Sequence, residues 1–403
     1  MTVETDVVIV GGGPCGSLAA LIAARRGAKV TVLEEHSLIG VPNHCAGHLS
    51  LNGLKHLGFT LPPSVIENTF DSAVFLSPSG EQFCVRFPSP VTCAVNREFF
   101  DQHLAKMASA VGAKYLLNSR AETLINEKGA VKGVVIENQG AKNKVSSHIV
   151  IDAEGVASRI LRDAELKPLN SKMLVKSVSA EIDDVKDVET DRVEVYLGKS
   201  VAEGFYAWLM PKKDGTARIG LATSHGNPRQ CLKQFMNKHK IAKTKLGRSK
   251  IRQVTYHAIP LGGPISKTYA SGFFAVGDVA SQVKPTTGGG VVTGMICAKI
   301  AGEVAGRAVK EGIFSADFLK QYEVEWAHVL DFDMKAMLFA RKLLNNLSDH
   351  EIDKLFRVSN RLHLEEALIH VKNLDSQGKE AVRLAMRPSA LFTLAFFLFW
   401  AFT

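Results

Sequence analysis

An α/β fold is predicted by three features of this 403-residue chain. Residues 6–35 read as strand, glycine-rich turn, helix and strand. Residues 172–260 alternate apolar and polar side chains, and residues 315–385 carry helical periodicity and charge pairs. Together they imply a Rossmann-like domain, an antiparallel β-sheet domain inserted into it, and a C-terminal helical region. Composition agrees, because 46% hydrophobic and 22% charged residues make a globular chain with room for about two domains.

The first element is Asp6-Val7-Val8-Ile9-Val10, too short for a helix and rich in β-branched residues, so it reads as a buried parallel strand. Gly11, Gly13 and Gly16 follow at G-x-G-x-x-G spacing. A helical run through Leu18, Ala19, Leu21, Ile22 and Ala23 closes at Gly27, and a second strand, Lys29-Val30-Thr31-Val32-Leu33, ends in Glu34 and Glu35. Gly11 permits the tight turn, Gly13 admits a pyrophosphate close to the backbone, and Gly16 lets helix and strand pack closely. The helix N-terminus offers unpaired N–H groups and a positive dipole end. Glu34, 18 residues after Gly16, stands where a carboxylate accepts from ribose hydroxyls. An acid here argues for an unphosphorylated ribose, as in FAD or NAD.

A loop from His36 to Ser50 comes next. Residues 73–76 and 82–86 read as strands around a Pro78-Ser79-Gly80 turn. A helix starts at Asn96-Arg97 and ends near Gly112; residues 114–117 and 131–136 read as strands, and His148-Ile149-Val150-Ile151-Asp152 as another buried strand. The alternations Val193/Val195/Leu197 and Ala217/Ile219/Leu221, with Tyr206-Ala207-Trp208-Leu209-Met210-Pro211 between them, predict the antiparallel sheet. Phe273-Phe274-Ala275-Val276 returns to the first style and ends at Gly277-Asp278. After Lys284-Pro285-Thr286-Thr287-Gly288-Gly289-Gly290 a small-residue helix runs from about Val291 to Val309. The expected domains are 1–170 with 261–314, which binds the dinucleotide, 171–260 as substrate domain with strands at 73–95 as further candidates for its sheet, and 315–403.

Two distant glycine-rich elements carry the chemistry. The first binds a dinucleotide. The second puts Asp278 at a strand end, where it accepts from ribityl hydroxyls, and points the helix beginning at Val291 into the same crevice. That dipole end suits negative charge on a reduced isoalloxazine ring. Gly288, Gly289 and Gly290 at this end and Asp152 at the end of its strand join the candidate cofactor residues. A dinucleotide held at both ends points to a flavoprotein rather than an NAD dehydrogenase. On a strand, Tyr206, Trp208 and Met210 share one face and are candidates for the wall of a hydrophobic cavity; without a ligand they would be ordinary sheet core.

These motifs resemble the geranylgeranyl reductase family, within the flavoproteins of the para-hydroxybenzoate hydroxylase fold, over nearly the whole chain. Gly11-x-Gly13-x-x-Gly16 with Glu34 is common to the superfamily. Pro42-x-x-Cys45-Ala46-Gly47 resembles the family's cysteine motif near the flavin, and Tyr206-x-Trp208-x-Met210-Pro211 its Y-x-W-x-F-P motif, with Met210 where phenylalanine is usual. Gly277-Asp278 and the segment from Pro285 to Gly290 also match. The resemblance implies FAD contacts at Cys15, Glu34, Cys45, Ala46, Gly47, Arg97, Ala121, Asp278, Gly290 and Val291. It also makes Cys45 the candidate catalytic residue, to tune the flavin or donate a proton; on physics alone a free cysteine more often packs. The implied activity is reduction of isolated double bonds in geranylgeranyl chains, nearest to the branch acting on unsaturated archaeal ether lipids. Hydride would pass from reduced FAD to one alkene carbon, and an acid or water would protonate the other. A monooxygenase of the same fold and a flavin-loaded prenyl-lipid carrier are the alternatives.

The remaining expectations concern partners. No second G-x-G-x-x-G is visible for a nicotinamide, so ferredoxin, deazaflavin and NADPH all stand as electron donors. The six cysteines show no C-x-x-C or histidine clustering and fit free thiols in a reducing cytoplasm, with no metal site. No nucleic-acid module is visible. The first strand leaves no room for a signal peptide. A net charge of +9 points to anionic partners, either a phosphorylated ligand or a membrane surface, and the acid-free run Lys238, Lys240, Lys243, Lys245, Arg248, Lys250 and Arg252 to phospholipid head groups, or simply to a solvated helix and loop. Residues 390–402, apolar apart from Thr393, span about 20 Å as a helix, too short for a bilayer core of about 30 Å. They either dock in the protein or anchor it in the interface with Trp400 at head-group level. The expected location is cytoplasmic, peripheral to the inner face of the membrane.

Overall fold

A computed structural model describes residues 2–385. The tail at 390–402 lies outside the described residues. The chain forms two compact units: residues 1–43, 97–173 and 260–334, and residues 44–96, 174–259 and 335–403.

The first unit is built on a six-stranded sheet in the order Tyr269–Ala270, Phe273–Ala275, Ile149–Asp152, Val7–Val10, Val30–Leu33, Lys114–Leu116. All neighbours are parallel except the edge pair Tyr269–Ala270 with Phe273–Ala275. The central strands are buried at every position, which explains their unbroken apolar composition. Helices Pro14–Arg25, Arg97–Ala110 and Val291–Glu311 belong to this unit. The first and last pack so closely that a Cβ on Gly302 would lie 2.7 Å from the Ala19 carbonyl oxygen. A second sheet, in the order Thr2–Glu4, Ala141–Ser146, Ala130–Asn138, Ser119–Glu127, shares a core with the first through Val134, Ile136, Val150 and Phe273.

The second unit holds a seven-stranded sheet in the order Lys250–Pro260, Leu174–Asp183, Ala217–Thr223, Tyr206–Pro211, Arg192–Leu197, Ser72–Leu76, Gln82–Arg86. The expected antiparallel pairing holds for Leu174–Asp183 with Ala217–Thr223 and onward to Arg192–Leu197. Arg192–Leu197 and Ser72–Leu76, however, run parallel. Side-chain alternation has the same period in both directions, so the sequence pattern could not reveal this pair. One face packs under helices Pro228–Lys238 and Lys240–Leu246, through Ala207, Leu209, Ile219, Phe235 and Leu246. His48–Ser50, Thr92–Val95 and Ile66–Phe70 form a small antiparallel sheet. The first of these falls in the stretch read from sequence as loop, because three residues are too few to show a period. In the C-terminal region Asp349–Arg361 packs Ile352 and Phe356 on Phe83 and Val85, and its Asp353 carboxylate accepts from Ser77 Oγ and from Ser79 N–H and Oγ.

Among the described residues none of the six cysteines is in a disulfide, and no cluster of His, Cys, Asp and Glu could hold a metal ion. No described helix is long and apolar enough to cross a membrane. The basic run is partly neutralised by acids distant in sequence: Lys245 pairs with Glu194, Lys250 with Asp184 and Arg252 with Asp183.

Candidate functional site

In the first unit three parallel strands end level. Val10 pairs with Asp152, and Asp152 with Ala275. The Gly11 turn, Asp152 and the Gly277-Asp278 turn therefore leave the sheet side by side at its carboxyl edge, where open α/β sheets bind ligands.

Gly11 has φ +98°, its N–H bonds the Leu33 carbonyl at 2.8 Å, and a Cβ there would sit 2.4 Å from the Ala153 oxygen. Only glycine tolerates both the dihedral and the contact. Gly13 is the N-cap of Pro14–Arg25, is extended, and makes no side-chain cap; a Cβ on it would meet nothing within 4 Å. The helix terminus thus opens on free space with its first N–H groups available. Glu34 closes this turn. Its Oε2 accepts from Gly12 N–H at 2.9 Å, and its Oε1 accepts from the His36 backbone N–H at 3.0 Å and lies 2.6 Å from the His36 Nδ1. A carboxylate has about four lone-pair positions, so about one on Oε2 is left for a ribose hydroxyl. Glu34→Arg is therefore expected to abolish stoichiometric FAD binding twice over, by removing the acceptor and by freeing the Gly12 and His36 N–H groups. Equilibrium dialysis checks it, and full occupancy in the variant would show Glu34 to be misassigned.

The second turn is held from beneath. The Gln282 side chain, fully buried, accepts from Gly277 N–H at 2.8 Å and donates to Tyr322 Oη at 2.9 Å; the Tyr322 hydroxyl donates to the Ala275 carbonyl. Thr293 Oγ donates to the Gln282 carbonyl at 2.7 Å. Sequence reading missed Gln282 and Tyr322; the one signal available was a glutamine in an otherwise small and apolar stretch. Gly290 caps Val291–Glu311 with no side-chain cap of its own, and a Cβ on it would meet Asp278 Oδ1 at 2.9 Å. Asp278 and this second helix N-terminus are thus adjacent. Gly288 N–H bonds the Lys284 carbonyl, and Lys284 N–H the Gly289 carbonyl, which closes the glycine loop.

Cys15 sits between the two turns. Its Sγ would be 3.0 Å from a Cβ on Gly277 and 2.7 Å from one on Gly294. Burial, and then the nearby Asp278 carboxylate, push the thiol up to about 12, so it stays protonated and packs. Arg97 holds Asp101 through two bonds of 2.9 and 3.0 Å at the start of its helix. Ala121 is buried in the core beside a register shift in its strand pair, so only its backbone can reach a ligand. Asp152 is fully buried: Oδ1 accepts from Glu154 N–H at 3.1 Å, and Oδ2 has no partner among the described residues. Burial, and then Glu154, hold its carboxyl well above the usual carboxylate range. An open cradle at Gly13, two uncapped helix N-termini and an orphaned buried carboxyl fit a dinucleotide with two phosphates and polar ends.

The other sequence-predicted residues lie in the second unit. Trp208 and Met210 share a core cluster with Phe70, Ala94 and Val193, and Tyr206 and Ala46 pack against it. Ala207 and Leu209 lie in the cluster on the opposite face, so the alternation holds. Trp208 is 8% exposed and crosses Gly220, where a Cβ would lie 2.3 Å from its ring. Its Nε1–H is buried with no partner among the described residues. Tyr206 meets Trp208 edge-on at 5.9 Å, and its ring stacks on Phe205 at 4.2 Å. Cys45 is half-buried, and its Sγ accepts from Gly47 N–H at 3.4 Å.

Comparison with known proteins identifies the family. Residues 4–325 match the FAD binding domain family. The chain is 34% identical over 390 residues to digeranylgeranylglycerophospholipid reductase 2 of Methanopyrus kandleri, covering 95% of this chain and 96% of that one. It is 34% identical over 353 residues to digeranylgeranylglycerophospholipid reductase of Methanocaldococcus jannaschii, 87% and 89% of the two chains. A geranylgeranyl bacteriochlorophyll reductase-like protein of Thermoplasma acidophilum superposes with a TM-score of 0.88 at 26% identity, over 98% of this chain and 99% of that one. The chain belongs to the digeranylgeranylglycerophospholipid reductase family of FAD-binding flavoproteins.

Proposed function

We propose that this protein is an FAD-dependent reductase that saturates C=C bonds of geranylgeranyl chains on archaeal-type ether phospholipids. The observation that carries this reading is the 34% identity over 390 residues, 95% of this chain. FAD, when bound, supplies the hydride. The helix N-termini at Gly13 and Gly290, with Glu34, Asp152 and Asp278, bind and orient it. Tyr206, Trp208 and Met210 wall the prenyl chain and exclude water. An isolated alkene is a poor hydride acceptor, so close positioning in a dry site is what the protein must add. Cys45 Sγ is the candidate proton donor to the second alkene carbon.

The test is anaerobic: reduce the holoprotein, add digeranylgeranylglycerophosphate, and follow flavin absorbance and product mass. Reoxidation with gain of hydrogen is expected. A product that requires oxygen would make the protein a monooxygenase, and no reaction would make it a carrier. Ferredoxin, deazaflavin and NADPH are compared in the same assay as electron donors. The finer proposal is a protein peripheral to the cytoplasmic membrane face. It is supported by a substrate that resides in the bilayer and by the cations of residues 238–252 that have no acid near them in sequence. Flotation with anionic vesicles is expected, and a protein that stays with the soluble fraction would overturn it.

A further inference from the structure

We propose that Arg218 is a positioning residue that clamps the Cys45-Ala46-Gly47 turn onto the aromatic sheet face. The proposal rests on the reading of Cys45 as part of the reductase site. Arg218 sits in Ala217–Thr223, a strand buried along its whole length, and is itself 5% exposed. In register it stands between Met210 on one neighbouring strand and Glu181 on the other. It therefore shares the face of Met210 and Trp208, opposite the face that packs under the helices.

Its guanidinium uses three arms. Nε donates to Glu181 Oε1 at 2.7 Å, Nη2 to Glu67 Oε2 at 2.9 Å, and Nη1 to the Ala46 carbonyl at 2.6 Å. Lys212 closes the ring, 3.1 Å from Glu67 Oε1 and 2.6 Å from Glu181 Oε2. Two cations and two carboxylates balance, so the cluster holds its geometry without a stranded charge. What this rigid group grips is the turn. Ala46 is bonded by its carbonyl and packs against the core cluster that holds Trp208 and Met210. Gly47 has φ +70°, its carbonyl accepts from Val95 N–H at 2.9 Å, and its N–H donates to Cys45 Sγ. A Cβ on Gly47 would lie 2.4 Å from the Val95 oxygen and 2.9 Å from Arg218 Nη1. The residues on both sides of the peptide that orients Cys45 are thus fixed, one by Arg218 and one by the Val95 strand. A fork of N–H donors on a rigid plane does this; a lysine ammonium cannot reach all three acceptors.

The test is Arg218→Lys, which keeps the charge and loses the fork, studied as holoprotein with added FAD. Peptide-resolved alkylation by iodoacetamide is expected to speed up at Cys45 by about threefold or more as the turn loosens. Turnover is expected to fall about tenfold with little change in KM for the lipid, since the reacting groups and not the chain-binding wall are displaced. Should that protein not fold, the paired change Glu67→Gln with Arg218→Met removes one charge of each sign and the whole clamp, and the same two effects are expected. Wild-type alkylation of Cys45 in a folded variant overturns the proposal whatever the activity does. Faster alkylation with unaltered kcat overturns its bearing on turnover. Alkylation is read without the reaction, so a wild-type protein with no reductase activity would sink the functional reading and leave the clamp to be judged by itself.

Discussion

Gly16→Ala is expected to lose FAD and to lower the stability of the apoprotein as well. The new Cβ would lie 1.9 Å from the Gly11 carbonyl oxygen and 3.3 Å from Ile9 Cγ2. Neither neighbour can yield. Gly11 is held by its bond to Leu33, and its own α-carbon is pressed toward Ala153. Ser17, the next residue of the helix, is fixed by Oγ to the Gly12 carbonyl at 3.0 Å and accepts from Tyr115 Oη at 3.0 Å. On its far side the helix meets Gly302, where there is no slack for it to retreat. Overpacking of a core usually costs about 1–3 kcal/mol, and a clash with backbone belongs at or above the top of that range. The movement that relieves it must shift the helix N-terminus, and with it the N–H groups proposed to bind the phosphates.

Gly13→Ala is the control. Its Cβ would meet nothing within 4 Å, and its backbone, at φ −69° and ψ −173°, suits any residue. This variant is expected to melt as the wild-type apoprotein does and to bind FAD more weakly, because the methyl occupies the space a pyrophosphate would approach. Calorimetry of the apoproteins and FAD titration separate the two. A Gly13→Ala protein with wild-type affinity would show that no phosphate comes close there, and a Gly16→Ala protein as stable as wild type would show that the contact is relieved without moving the helix.

What the sequence could show follows from where its interactions lie. The strands at Val7, Val30, Ile149 and Phe273 were legible because burial on both faces demands unbroken apolar runs. The two glycine turns were legible because backbone contact leaves no alternative residue. The aromatic face was legible in the alternation of Tyr206, Trp208 and Met210. The parallel pairing of Arg192–Leu197 with Ser72–Leu76 was not, since it joins segments over a hundred residues apart and periodicity carries no direction. In the sequence Arg218 is simply a polar neighbour within the alternation of Ala217, Ile219 and Leu221. Its acids, Glu67 and Glu181, arrive from two other strands, so nothing near it in the chain marks it as buried. The run from Lys238 to Arg252 shows the same limit: it contains no acid, yet Glu194, Asp184 and Asp183 pair with its Lys245, Lys250 and Arg252. Local pattern reports burial and turn chemistry; charge pairing between strands is written only in the fold.

Trp208→Ala is expected to leave FAD bound and to remove most activity on geranylgeranyl lipid. Trp208 packs in a core cluster that contains none of the cradle residues. Deleting so large a buried ring opens a cavity and costs about 3–5 kcal/mol in a packed site. Gly220 beneath it has no side chain to fill the space, and Met210 and Phe70 beside it are held in the same cluster. If the ring walls the prenyl chain, the loss falls on kcat/KM for long chains, because the alkene is no longer pressed into place. Trp208→Phe tells this role from simple filling. It keeps an aromatic face and removes the Nε1–H, which is buried without a partner among the described residues. An unpaired buried donor is a cost of about 1–3 kcal/mol, so losing it offsets part of the lost ring. The phenylalanine variant is therefore expected to be more stable than the alanine variant and to recover much of its turnover. Steady-state kinetics on geranylgeranyl lipid, with FAD content measured by absorbance, decide the matter. Unchanged kinetics in Trp208→Ala would take the residue out of the substrate wall. A phenylalanine variant as damaged as the alanine one would mean that the indole N–H meets a partner in turnover, and the lipid's own polar atoms would be the place to look for it.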